Sequence, residues 1–372
     1  MRWWGGSLDR DEVRQRLGNM DQLAGICPFS FDDGRARPGR AARVWTGAGL
    51  EFTVNLDRCM DITAASFMGV PLAWRSPVGD VAPQYFEPEG ARWLRSFCGG
   101  LLATCGLINV GAPEEGSELT GRGIHGRIGN TPAQDIQVSQ EWEEDDYVLR
   151  LRGSMREAAL FGENLLLNRS IETWMGARRI IVEDILTNEG FHPQTFQFLY
   201  HCNIGWPSVD EGAEVLAPSR AVAPRDEEAR DGADEWANLD APTPEYLEKA
   251  YYHDMVADDD GIVECAVYNP NFDNGRGFGV LVRYEQKNLP RFTYWKQMGE
   301  QAYVVGLEPC NCGVEGRSVD EQYGLLHVLE PGQSLRYRIE FEPLLPGEPV
   351  ERLRKRCNAQ ETRIVDSYRK FV

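Results

Sequence analysis

Apolar residues recur along most of this chain at intervals of two, separated by short polar breaks. The stretches "RVWTGAGLEFTVNLDR", "DYVLRLRGSM", "LLLNRSIETWM" and "RRIIVEDILTN" are short, rich in β-branched or aromatic residues, and bounded by Gly, Asn, Pro or acidic turn residues. That pattern predicts strands. A helical period shows between Ser7 and Gly25, where Asp9 and Glu12 have capping-box spacing and Val13, Leu17, Met20 and Leu23 share a face, with Gly25 as the expected stop. A second helix is expected in "EPVERLRKRCNAQET". No strand–helix alternation and no internal repeat is evident, so the expected fold is mainly all-β, a sandwich of large antiparallel sheets rather than a parallel α/β fold.

The expected organisation is one domain, with a helical extension over residues 1–39, the sandwich over 40–345 and a helical tail over 346–372. Residues 218–250 are polar, charged and dotted with proline, and read either as a solvated surface loop or as an active-site lid.

Composition narrows the partners. The chain of 372 residues is 42% hydrophobic and 26% charged, as in ordinary soluble proteins, and holds no apolar run near the roughly 20 residues needed to cross a bilayer. No signal-peptide-length apolar run precedes the charges in "MRWWGGSLDRDEVRQRLG", so the cytoplasm is the expected compartment. The nine cysteines, scattered from Cys27 to Cys357, suit reduced thiols better than a disulfide framework. Its 58 acidic and 39 basic residues leave a formal charge of −19 with no clustered basic stripe, which argues against nucleic acid. The same charge leans towards neutral or weakly charged ligands.

Candidate chemistry sits in three places. In "TFQFLYHCNIGWP" alternation puts Phe196, Phe198 and Tyr200 on one face and Gln197, Leu199, His201 and Asn203 on the other. In "RFTYWKQMGEQAYVVGLEPCNCG" the row Thr293, Trp295, Gln297 is followed, after a turn at "MGEQ", by Val304, Gly306 and Glu308. Glu308 ends an apolar strand, where desolvation would raise its pKa towards the range of a general base. A structural salt bridge is the plainer alternative, as a hydrogen-bonded core role is for His201. In "GRGIHGRIGN" the glycines at 121, 123, 126 and 129 remove bulk around His125, while Arg122 and Arg127 offer forked donors. Two histidines and a glutamate on separate segments match the opening of a cyclic hemiacetal, which needs one acid and one base but no metal, nucleotide or cofactor. The "CNC" of Cys310 and Cys312 has no second pair at metal-site spacing and reads as loop thiols beside Glu308.

From about residue 40 to 345, the segments "LDRCMDI", "GGLLATCGLINVG", "IHGR", "LYHCNIGWP", "LPRFTYWKQM" and "YVVGLEP" resemble the galactose mutarotase-like superfamily, the aldose 1-epimerases, and within it an epimerase-like branch. The resemblance implies a β-supersandwich with a sugar on a concave face. It implies His125 as a sugar-holding histidine, His201 as general acid and Glu308 as general base, and the interval of 76 residues between the histidines fits the family. Arg58, Arg95 and Arg127 compete for the place of the family's substrate-binding arginine. His253 and Asp254, in "YYHDM", stand nearest its later aspartate. Asn203, Trp295 and Gln297 complete the expected sugar contacts, with a carbohydrate as partner, no membrane, no metal, and homodimer formation left open.

Two other readings stay open. One is a non-catalytic carbohydrate sensor on the same scaffold. The other is a lyase, hydrolase or metal-dependent sugar isomerase, if His125, His201, His253 and Glu308 converge on a divalent cation.

Overall fold

In the computed structural model, which describes residues 2–3, 6–7, 9–114 and 122–371, the two-residue period becomes three main, largely antiparallel sheets. One sheet of eight strands runs in spatial order from Glu214–Leu216 through Ile262–Asn269, Phe278–Glu285, Ser334–Leu344, Ile180–Asn188, Asn164–Trp174 and Asp146–Ala158 to Gln134–Glu143. A second runs from His327–Leu329 through Gln194–Gly205, Tyr303–Cys310, Arg291–Met298, Lys249–Met255 and Ser219–Pro224 to Arg363–Ile364, and Ala103–Leu107 also pairs with Gln194–Gly205. The third has five strands, from Gly25–Ser30 to Val70–Pro71. This is the mainly β architecture of large antiparallel sheets expected from the strand pattern.

Burial follows the pleat. Strand Asn164–Trp174 alternates between buried and half-buried residues along its whole length, so one face enters the core. Strand Gln194–Gly205 is instead buried on both faces from Phe196 onward. On one face Phe198 stacks on Tyr337 of the opposite sheet, with ring centroids 4.6 Å apart. On the other, the connection containing Trp74, Trp93 and Phe97 covers His201.

A buried ion network ties the three sheets together. Arg169 donates to both oxygens of Asp184, at 2.9 and 2.6 Å, to Asp61 at 2.8 Å and to the Thr104 hydroxyl at 2.9 Å. The Tyr200 hydroxyl donates to Asp184 at 2.6 Å. Arg169 and Asp184 belong to the first sheet, Tyr200 and Thr104 to the second, and Asp61 to the third.

The ends differ from the sequence expectation. The helix expected over Ser7–Gly25 is confined to Arg10–Arg14, although its Asp9–Glu12 capping box forms. Gly18 breaks the period, Asn19 caps a separate turn over Met20–Gln22, and Gly25 opens a strand. A Cβ at Gly25 would lie 2.8 Å from the Trp45 ring, so the glycine serves sheet packing rather than helix termination. Residues 1–39 are therefore not a purely helical extension. The tail has its helix at Glu348–Asn358 but adds the strand Arg363–Ile364. The polar stretch 218–250 contains the strand Ser219–Pro224 and the start of Lys249–Met255, which pair with each other, leaving a loop of 225–248 with only short helical turns.

Replacing Arg169 with Met leaves Asp61 and Asp184 buried without their cation, so unfolding free energy from urea titration should fall by about 3–5 kcal/mol. A loss below about 1 kcal/mol, the scale of a surface pair, would show that the network does not pin the sheets.

Candidate functional site

Three neighbouring strands set the floor of a cavity of about 620 Å³. Gln194–Gly205 places His201, Tyr303–Cys310 places Glu308, and Arg291–Met298 places Thr293 and Trp295 on the face turned away from the core. The register explains the grouping: Thr293 lies opposite Glu308 and Trp295 opposite Gly306, so all share one side of the pleat. Gly306 makes room between the polar groups, since a Cβ there would sit 2.3 Å from Glu308 Oε1 and 3.2 Å from the His201 ring.

His201 Nε2 approaches Glu308 Oε1 to 3.2 Å. The contact lacks hydrogen-bond alignment, which leaves Glu308 Oε1 buried without a hydrogen-bond partner among the described residues; His201 Nδ1, on the other side of the ring, is likewise buried and without one. Burial pushes the Glu308 carboxyl well above its usual 4.5, with Cys310 and Glu248 adding to the effect and Arg225 opposing it. Burial likewise holds His201 well below 6.5, reinforced by repulsion from His125. The site thus favours a neutral acid beside a neutral imidazole.

His125 enters from the roof on a left-handed residue, φ 58°. Its backbone N–H donates to Gly111 O at 3.0 Å, and its Nδ1 accepts from Gly111 N at 3.4 Å, which leaves Nε2 to carry the ring proton. Its ring is 5.6 Å from His201 and 4.9 Å from Trp93, and burial lowers its pKa to about 4. The neighbouring glycines do not open space to the cavity. A Cβ at Gly123 would strike Pro88 O, at Gly126 Gly106 O, and at Gly129 Thr104 O, so they allow backbone to pack on backbone. Gly121 lies outside the described residues.

The expected sugar contacts divide. Trp295 lines the cavity, and its indole N–H donates to Glu248 at 2.8 Å. Asn203 stands behind it, donating to the backbone oxygens of His201 and Gly100. Arg58 is not at the cavity: its guanidinium is buried and donates to the carbonyls of Gly129, Val81 and Ser96. Arg127 begins the turn Ile128–Asn130 outside the cavity lining, and Arg95 lines an adjoining groove. Gln297 folds back to accept from Gly299 N. His253 is buried against Trp236 and Tyr294 with Nδ1 2.9 Å from the Ser219 hydroxyl, and Asp254 pairs with Arg220 at the surface. The strand Lys249–Met255 turns Ala250 to the cavity, so odd-numbered His253 falls on its other side. The three histidines and Glu308 therefore do not converge as a ligand set.

Sequence reasoning missed Arg225 and Glu248, which line the cavity from the two ends of the 225–248 loop. Arg225 donates to Glu248 at 3.2 Å and to Asp226 at 2.8 Å. Their signal was position: each borders a strand at the edge of the polar stretch. Trp74, Trp93 and Phe97 were also missed, since nothing around them in the chain suggested chemistry. Cys310, read as a loop thiol, ends the Glu308 strand and donates to Cys312 O at 3.2 Å.

Comparison with known proteins adds the following. A family model described as a domain of unknown function (DUF4432) matches residues 36–342. No curated protein matches the chain. A candidate aldose 1-epimerase from Klebsiella pneumoniae subsp. pneumoniae MGH 78578 superposes with a TM-score of 0.85 at 22% identity, covering 95% of this chain and 96% of that one. Galactose 1-epimerase from Lactobacillus acidophilus NCFM gives 0.57 at 12% identity, covering 87% and 100%. A galactose mutarotase-like protein from Clostridium acetobutylicum gives 0.57 at 11%, with the same coverage. At these identities the likeness establishes the fold.

Histidine NMR tests the site's electrostatics directly. His125 should titrate near about 4 and His201 below 6.5. Because the folded values lie below the unfolded ones, their contribution to stability is present above pH 6.5 and lost as pH falls through the folded values. A midpoint at or above 6.5 for either ring would contradict this description.

Proposed function

The chain belongs to the DUF4432 family, and on that premise we propose that it is an aldose 1-epimerase-like isomerase interconverting the anomers of a reducing sugar. The observation carrying this reading is the buried His201–Glu308 pair, 3.2 Å apart at a cavity walled by Trp74, Trp93, Phe97 and Trp295. Aromatic faces suit the C–H faces of a pyranose, and the cavity size falls within the roughly 300–1,000 Å³ of small-molecule sites.

Burial places on Glu308 the proton that His201 needs. Transfer across the pair yields carboxylate and imidazolium without changing the net charge, so the low dielectric opposes it less than creation of a single charge. Glu308 then takes the proton from the anomeric hydroxyl while His201 Nε2 gives its proton to the ring oxygen. The C1–O5 bond breaks as the C1–O1 carbonyl forms. Rotation about C1–C2 presents the other carbonyl face, and the same transfers in reverse close the ring. His125, with Nε2 as donor, holds a sugar oxygen. Acid and base suffice for this route without metal or cofactor, and the nine free thiols suit work in a reducing cytoplasm.

Anomer exchange measured by saturation-transfer NMR on a panel of reducing sugars tests the reading. Glu308→Gln and His201→Ala should each slow exchange by roughly two to four orders of magnitude. His125→Ala should raise KM as well as lower kcat. The pair works while it holds one proton, so kcat/KM should be bell-shaped, with an acid limb below 6.5 and an alkaline limb well above 4.5. Binding without accelerated exchange would assign the site to a sensor instead.

A further inference from the structure

Beside the main cavity lies an open groove of about 510 Å³ that shares Val78 and Leu94 with it, so the two form one cleft. The groove is lined by Arg35, Arg92 and Arg95, all exposed. Three arginines lining one groove run against the formal charge of −19 carried by the chain. Arg35 is held in place: its Nη2 donates to Arg95 O at 3.0 Å and its guanidinium lies 5.7 Å from the Tyr85 ring centroid. Arg92 is shared with Glu87 at 3.8 Å and Glu89 at 3.1 Å. Arg95 has no acidic partner among the described residues, so its charge is available to a ligand.

The rest of the cleft has the opposite character. Arg225 faces Glu248 and Asp226, and Glu315 lines the same cavity. An anionic substituent would meet carboxylates there, whereas in the groove it would meet Arg35 and Arg95, which have no acidic partner among the described residues. Arginine forks match the planar or tetrahedral oxygens of carboxylate, sulfonate and phosphate groups.

We propose that the arginine groove is an anion subsite of the sugar cavity, and that the preferred substrate is a reducing sugar bearing an oxyanion group remote from its anomeric carbon. This rests on the anomer-exchange reading and goes beyond it by giving the substrate its charge and orientation. The sugar ring lies between the aromatic walls with C1 at Glu308, and its charged arm passes Val78 and Leu94.

The test compares galactose and glucose with their 6-phosphates, 6-deoxy-6-sulfonates and uronates, by anomer exchange with wild type, Arg95→Ala and Arg35→Ala. In wild type, kcat/KM for at least one anionic form should exceed that of its neutral parent by about tenfold or more, the scale of one charge-assisted hydrogen bond. The difference should lie in KM, shrink in about 0.5 M salt where screening is strong, and collapse in Arg95→Ala. Which anion gains most separates phosphate from sulfonate and carboxylate. A wild-type ratio at or below one, or a ratio unchanged in both variants, overturns the subsite while leaving anomer exchange intact. Silence for every sugar instead removes the exchange reading. The subsite is then decided by quenching of the cavity tryptophans with the 6-phosphates and with inorganic phosphate: salt-sensitive binding weakened in Arg95→Ala supports it, and absence of binding overturns it.

Discussion

The fold depends on a single buried cation. Arg169 lies where the three sheets meet, and its guanidinium is fully enclosed, so its charge has to be answered by protein groups. Asp61, Asp184 and Thr104 answer it from three different sheets, and Tyr200 completes the coordination of Asp184. Hydrophobic contact alone would let the sheets slide, because apolar burial is non-directional. Five directional hydrogen bonds do not permit that. Such a network adds little net stability over a well-packed apolar core, but it defines one relative placement of the sheets.

That placement reaches the functional face through one peptide. Tyr200, anchored to Asp184 on the core side, immediately precedes His201 on the cavity side. The strand is covered on both faces, which removes the freedom a half-exposed strand would have. A parallel arrangement supports His125. Glu157 accepts from Leu107 N at 2.9 Å, and the adjacent Gly106 receives the Arg127 N–H and donates to His125 O. Burial raises Glu157 to about 8. It is a dry carboxyl holding the turn beneath one histidine, as Arg169 holds the strand beneath the other.

How much of this is legible in the sequence depends on whether the information is local. The pleat is local, so alternation alone separates Tyr200 from His201 and places Trp295 and Glu308 each in one row of its own strand. The facing of His253 was equally local, and parity with cavity-lining Ala250 would have excluded it. Arg58 could not be excluded that way. Its guanidinium is satisfied by three carbonyls from segments 23, 38 and 71 residues away, a distance in sequence that no pattern spans. The glycines around His125 are ambiguous for a similar reason: a missing Cβ signals close approach but not of what, and here the visitor is neighbouring backbone. The ion network stayed hidden because Arg169 and Asp184 look like the polar half of ordinary alternating strands.

The polar stretch shows how a composition argument can be right in class and wrong in consequence. Its charges are largely solvated, as expected of a surface segment, yet its two ends are fixed by paired strands bordering the cavity. Arg225 and Glu248 are brought together by those strands and not by the loop between them, and Trp295 fixes Glu248 from the floor. This cavity-lining pair is thereby held at the borders of rigid strands. The same logic would separate the two halves of the cleft. In the proposed reaction, chemistry would sit on strands braced from behind by buried charge, where an error of an ångström would cost most, and charge selection on the open turns Gly34–Ala36 and Arg92–Arg95, where geometry is less demanding. On the proposed reading, a site built this way would change the sugar it accepts by altering a few surface arginines without disturbing the pair that would perform the reaction.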